Sequence, residues 1–71
     1  MKINAKAVNE LIKIKFNNNQ TLFANEINVD RTHLNRVLKA NGNGGGAVIC
    51  GGIIKYCEDN NLNYKDYIFL E

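Results

Sequence analysis

Cysteine, histidine and long apolar runs are all scarce in this 71-residue chain, and each scarcity removes a class of function. No stretch approaches the roughly 20 apolar residues of a membrane span, and the opening MKINAKAVNELIK has no unbroken apolar run of the kind a secretory leader needs. A cytoplasmic protein is expected, with no membrane partner. The two cysteines, Cys50 and Cys57, fall seven residues apart in what reads as one helix. A helical rise of 1.5 Å per residue separates their Cα atoms by about 10 Å, beyond disulfide reach. They are expected to be reduced, packed thiols. With His33 as the sole histidine, the four closely spaced ligands of a zinc site are missing, and no metal or cofactor is expected. Glu58 and Asp59 are adjacent, so a helix points them apart, and nothing is placed to oppose them in acid–base chemistry. An enzyme is not expected, nor a small-molecule substrate. One domain spanning residues 1–71 is all the length allows, since such a chain buries only about 60% of the surface it exposes when unfolded.

What is present is unevenly distributed. Residues 1–41 hold seven Lys/Arg against three Asp/Glu, and residues 42–71 hold two against four, so a net +4 segment precedes a net −2 segment. Any anion-seeking surface belongs to the first. There the apolar residues recur at helical spacing. Val8, Leu11, Ile12 and Phe16 line one face of a helix from about Ala5 to Phe16, with Asn4 as its N-cap. Asn17, Asn18 and Asn19 end it, because Asn tolerates the left-handed conformation, and Asn19 is positioned to cap the next helix. That helix runs from Gln20 to Ile27 with Phe23, Ala24 and Ile27 inward. Another follows from Asp30 or Arg31 to Lys39 with Leu34, Val37 and Leu38 inward. Both are too short to stand alone and must hold each other against the first.

The stretch QTLFANEINVDRTHLNRVLK, Gln20 to Lys39, meets the demands of a helix-turn-helix. Ala24 supplies the small residue where the helices touch, Asn28 the turn position with positive φ, and Ile27, Val29, Leu34 and Val37 the apolar lock. In residue types and spacing it resembles the helix-turn-helix of lambda-repressor-like, Cro- and C1-type regulators of phages and plasmids, with Asn28 standing where those usually carry glycine. The resemblance implies an all-α, five-helix domain in which helices two and three form the motif. It further implies sequence-specific binding of double-stranded DNA, as a small transcription regulator, generally a repressor. Carried over by position, Arg31, Thr32 and Arg36 come first as base contacts, with His33 and Asn35 behind them. The chemistry agrees, because Arg reads guanine, Asn reads adenine and the Thr methyl meets the thymine methyl. Asp30 reads instead as an N-cap, since a carboxylate facing phosphates repels them. Gln20 matches the family glutamine that bonds a phosphate and braces the third helix. Lys39, Asn41 and Gly44 are further phosphate candidates, together with Lys13 or Lys15.

The loop ANGNGGG after Lys39 is too rich in glycine for a helix or strand. It lacks the Gly-Lys-Ser/Thr ending of a phosphate-binding P-loop, and a helix rather than a strand precedes it, which argues against nucleotide binding. Two readings stay open: its backbone N–H groups receive a DNA phosphate, or it is a connector, and either implies mobility. A fourth helix is expected from about Ala47 to Asn60, with Val48, Ile49, Ile53, Tyr56 and Cys57 as apolar candidates. Its interior Gly51 and Gly52 mark close packing or a break. The tail LNYKDYIFLE suits a short fifth helix or a strand, and Tyr67, Ile68, Phe69 and Leu70 are candidates for completing the core or for self-association. A homodimer on a palindromic site is expected, because one recognition helix buries little surface. The competing expectation is a protein-interaction module, an antirepressor or accessory factor, that retains the helix-turn-helix shape.

Overall fold

Asparagine does much of the local work of this fold. In the computed structural model, which describes residues 2–69, four helices begin or end on asparagine side chains and backbones that the sequence spaces for the purpose. Strand β1 (Lys2–Ile3) leads into α1 (Ala5–Lys15), α2 (Gln20–Glu26), α3 (Arg31–Lys39) and α4 (Gly46–Asp59); a 3₁₀ turn (Tyr64–Asp66) and strand β2 (Ile68–Phe69) complete it. The Asn4 side chain accepts from the Ala7 N–H at 3.3 Å, Asn19 from Leu22 at 3.2 Å, and Asp30 from His33 at 3.3 Å. Each satisfies one donor that a helix leaves orphaned at its start.

Helices α2, α3 and α4 all stop in one way. Asn28, Asn41 and Asn61 adopt φ near +59°, in the left-handed region. The next residue then reaches back across the last turn: Val29 to the Ala24 carbonyl, Gly42 to Val37, and Leu62 to Cys57, at 2.8–2.9 Å. This is the Schellman closure, here with Asn where glycine is commonest.

The core is shared by all the helices. Val8, Leu11 and Ile12 of α1 meet Phe23 and Ala24 of α2, Leu34, Val37 and Leu38 of α3, and Ile49, Cys50, Ile53 and Cys57 of α4. Phe16, Phe23 and Tyr56 form an aromatic triangle with ring centroids 5.2–5.8 Å apart, which joins α1, α2 and α4. Gly52 lets α4 approach the end of α2 closely: a Cβ there would lie 2.8 Å from the Ile27 carbonyl oxygen. Gly51 has open space beside it, so close packing accounts for one of the two interior glycines, and the helix is unbroken.

Three expectations change. The fifth helix is a single 3₁₀ turn followed by β2, which pairs antiparallel with β1, Lys2 opposite Phe69 and Ile3 opposite Ile68. The architecture is mostly helical, with four α-helices and a small clasp that ties the two ends of the chain together. Val48 is not inward but 68% exposed, because the buried arc of α4 is filled by Ile49, Cys50, Ile53 and Cys57. The glycine loop is anchored rather than free. The Gly42 carbonyl accepts from the Ile3 N–H at 3.3 Å, the Asn43 amide donates to the Ala40 carbonyl at 2.9 Å, and Gly45 is buried against Ile3 and Val37.

Candidate nucleic-acid interface

The connection Ile27–Asp30 is short because two local devices abut. The closure on Asn28 ends α2, and the Asp30 cap starts α3 one residue after Val29 has tucked against the core. The α2 and α3 helices then pack on each other through Phe23, Ala24, Leu34, Val37 and Leu38, all buried.

Once that side of α3 is buried, the rest of its residues are sorted by angle, at about 100° per residue. Leu34, Val37 and Leu38 define the inward arc. Arg31, Asn35, Lys39, Thr32 and Arg36 follow one another round the outward arc over about 140°. Arg31, Thr32, Arg36 and Lys39 are exposed, and Asn35 is half-buried. No acidic residue falls among them. Five of the six α3 residues expected at an interface thus share one surface.

His33 is the exception. It lies about 60° beyond Arg36, half-buried at the margin next to Val37, and is not brought together with Arg31 and Asn35.

Asn35 is also less free than its sequence position implies. Its side-chain N–H donates to Gln20 Oε1 at 2.9 Å, across a separation of 15 residues. The expected brace from Gln20 to α3 is therefore present, and its partner is Asn35. Periodicity alone could not identify that partner, since the bond depends on how α2 crosses α3. Beside the pair is a concavity of about 490 Å³, lined by Asn17–Asn19, Gln20, Thr21, Arg31 and Asn35. Apart from Arg31, every side chain in it is uncharged and polar. The sequence shows the run Asn17–Asn19 as a helix stop and, at Asn19, a cap; its position in this wall is a finding of the tertiary structure.

Asn41 and Gly44 lie beyond the C-terminal end of α3, both exposed, with φ of 59° and 83°. They share the end of the surface that begins at Lys39, whereas Gln20 belongs to the other end. Lys13 and Lys15 are exposed in the last turn of α1.

The remaining chemistry is structural. Cys50 and Cys57 are free and buried. Burial pushes the Cys57 thiol up from its ordinary value, with the charge of Asp66 adding to it, so it stays protonated at neutral pH. Among the described residues no group of three or more His, Cys, Asp or Glu is placed to hold a metal ion. Among the described residues no helix is long and apolar enough to cross a membrane. The tail mostly completes the core: Ile68 is buried, Tyr64 and Tyr67 pack on the cluster, and Phe69 is 47% exposed. Leu70 lies outside the described residues.

Compared with known proteins, the chain matches no family model, no curated protein and no solved structure.

Proposed function

We propose that the protein binds double-stranded DNA as a small Cro- or C1-type transcription regulator, with α2 and α3 acting as a helix-turn-helix and α3 lying in the major groove. The observation that carries this is the outward arc of α3, where Arg31, Thr32, Asn35, Arg36 and Lys39 stand together with three positive charges and no negative one. A duplex needs cations for its phosphates and bidentate or hydroxyl-bearing side chains for its base edges, and this arc offers both. Arg31, Thr32 and Arg36 are the first base readers, with Asn35 behind them. Gln20, Lys39, Asn41 and the backbone at Gly44 supply phosphate contacts at its two ends.

A homodimer on a palindromic site completes the proposal, since one nine-residue helix presents little area for specific recognition. Half-exposed Phe69, at the end of the β1–β2 clasp, is the tail residue left available for self-association. Repression follows by occupancy of the site.

The test is a titration of the protein against mixed-sequence duplex at several salt concentrations. Log affinity should fall linearly with log salt at a slope of about −0.9 per phosphate neutralised. Absence of binding at low salt would sink the proposal and turn attention to a protein partner for the same helical unit.

A further inference from the structure

Two asparagines in the loop after α3 precede glycine, Asn41 before Gly42 and Asn43 before Gly44, and no other asparagine of the chain does. That dipeptide carries a chemistry of its own. The backbone nitrogen of the second residue, on losing its proton, can attack the side-chain amide carbon of the first, and glycine opposes the approach least because it has no Cβ.

The fold treats the two pairs differently. The Gly42 N–H, whose nitrogen is the nucleophile for Asn41, donates to the Val37 carbonyl at 2.9 Å in the closure of α3. Gly42 is buried, its carbonyl accepts from the Ile3 N–H at 3.3 Å, and a Cβ there would collide with the Ile3 carbonyl oxygen. Freeing that nitrogen therefore means undoing the end of α3 and lifting β1 away. Asn43 is held far less. Among the described residues no acceptor takes the Gly44 N–H, both residues are exposed, and the space beside Gly44 is open. The one tie is the 2.9 Å bond from the Asn43 amide to the Ala40 carbonyl. A single solvent-exposed hydrogen bond is exchanged for water at small cost.

We propose that Asn43 is a site of spontaneous deamidation in the folded protein, and that Asn41, in the same dipeptide, is protected by the closure of α3. The Gly44 nitrogen loses its proton and bonds to Asn43 Cγ; the Cγ–Nδ2 bond breaks, ammonia leaves with that proton, and a five-membered imide remains. Water then opens the ring at either carbonyl, giving aspartate or isoaspartate and releasing a proton from the new carboxyl group. The carboxylate has no N–H for the Ala40 carbonyl, so the loop loses this anchor. It also places a negative charge beside the last carbonyls of α3, the helix end that favours cations, on the surface that Lys39 begins. The functional consequence rests on the DNA-binding proposal: the new charge repels phosphate there, and affinity declines as the protein ages.

Two arms test this. Protein held in neutral buffer is sampled over time and digested after lysine and arginine, so that one peptide, Ala40 to Lys55, contains both asparagines. Fragmentation in a mass spectrometer then assigns the mass gain of the NH2-to-OH exchange. It should accumulate at Asn43 while Asn41 stays unmodified, and in urea, with the closure gone, both should react at similar rates. Equal reaction of the two in the folded protein would overturn the assignment, as would reaction at Asn43 no faster than at exposed Asn18, which precedes no glycine. The second arm compares wild type with Asn43→Asp on mixed-sequence duplex. The variant should bind a few-fold more weakly at low salt, and the gap should close as salt screens the charge. Equal affinities would overturn the decline in binding. Wild-type protein that binds no duplex at low salt would overturn the DNA reading and that decline with it, while the mass change alone decides the chemical site.

Discussion

Helices α3 and α4 fill the same core and present opposite surfaces to solvent. Inward, both are apolar and closely packed, through Leu34, Val37 and Leu38 on one and Ile49, Cys50, Ile53 and Cys57 on the other. Outward, α3 carries cations, a hydroxyl and an amide, whereas α4 carries Ala47, Val48, Gly51 and Lys55, with Glu58 and Asp59 near its end. Their termini differ too: Asp30 caps α3 with a side chain, and α4 starts on Gly45 with no side-chain cap. Burial explains why each helix sits where it does, but it leaves the outward residues undetermined. The outward arc of α3 gathers cations and an amide with no acidic residue among them, and this is the face on which the DNA-binding proposal rests.

The largest expected effect removes the support common to both helices. Phe23 is the fully buried corner of the aromatic triangle, so Phe23→Ala should cost about 3–5 kcal/mol, a large part of a small domain's stability. Denaturant unfolding measures it, and a loss under about 1 kcal/mol would mean that the triangle is not a keystone. The next effect separates the two outer faces. Arg36→Ala should cost about 1–3 kcal/mol of binding free energy on a selected duplex and little on random DNA. Lys55→Ala, which removes an equally exposed cation from α4, should leave both affinities nearly unchanged. Similar losses from the two variants would show that net charge, and not the α3 arc, drives binding.

The glycines of α4 sharpen the comparison further. Adjacent in sequence, they should respond with opposite signs. Gly52→Ala forces a methyl to within 2.8 Å of a backbone oxygen and should destabilise the protein by roughly 1–3 kcal/mol. Gly51→Ala meets open space in a helix interior and should stabilise it by about 1 kcal/mol. Paired melting curves read both. Destabilisation by Gly51→Ala would indicate that the exposed face of α4 is covered in solution.

Those two glycines also illustrate what was legible in the sequence. Features encoded within four or five residues were readable: the caps at Asn4, Asn19 and Asp30, the left-handed turn at Asn28, and the inward positions of Leu34, Val37 and Leu38. Features created by a distant partner were not. Gly52 differs from Gly51 only because Ile27 lies against it, and β2 becomes a strand rather than a helix because β1, at the other end of the chain, offers it partners, Lys2 for Phe69 and Ile3 for Ile68. The candidate site divides in the same way. The polar series on α3 was visible as a pattern, but the tie of Asn35 to Gln20, the placing of Arg31 in a polar concavity and the displacement of His33 to the margin all depend on how α2 and the α1–α2 turn meet α3.

The smallest expected effect concerns pH, and it again belongs to the α4 side. Burial raises the phenols of Tyr56 and Tyr67 and the thiol of Cys57; nearby negative charge, from Glu26 for Tyr56, from Cys57 and then Asp66 for Tyr67, and from Asp66 for Cys57, acts in the same direction. In each case the folded protein holds its proton more tightly than the unfolded chain does. Stability from these groups is therefore complete below the unfolded values, 9.0 for the thiol and 10.0 for the phenols, and declines as pH rises through them. Urea midpoints should stay level across neutral pH and fall above about pH 9. Cys57→Ala removes the earliest of these titrations at the cost of a small cavity, so its midpoint, although lower throughout, should begin to fall at higher pH than that of the wild type. An unchanged onset would assign the alkaline loss to the tyrosines alone, and the thiol would then be a packing group with no part in the pH response.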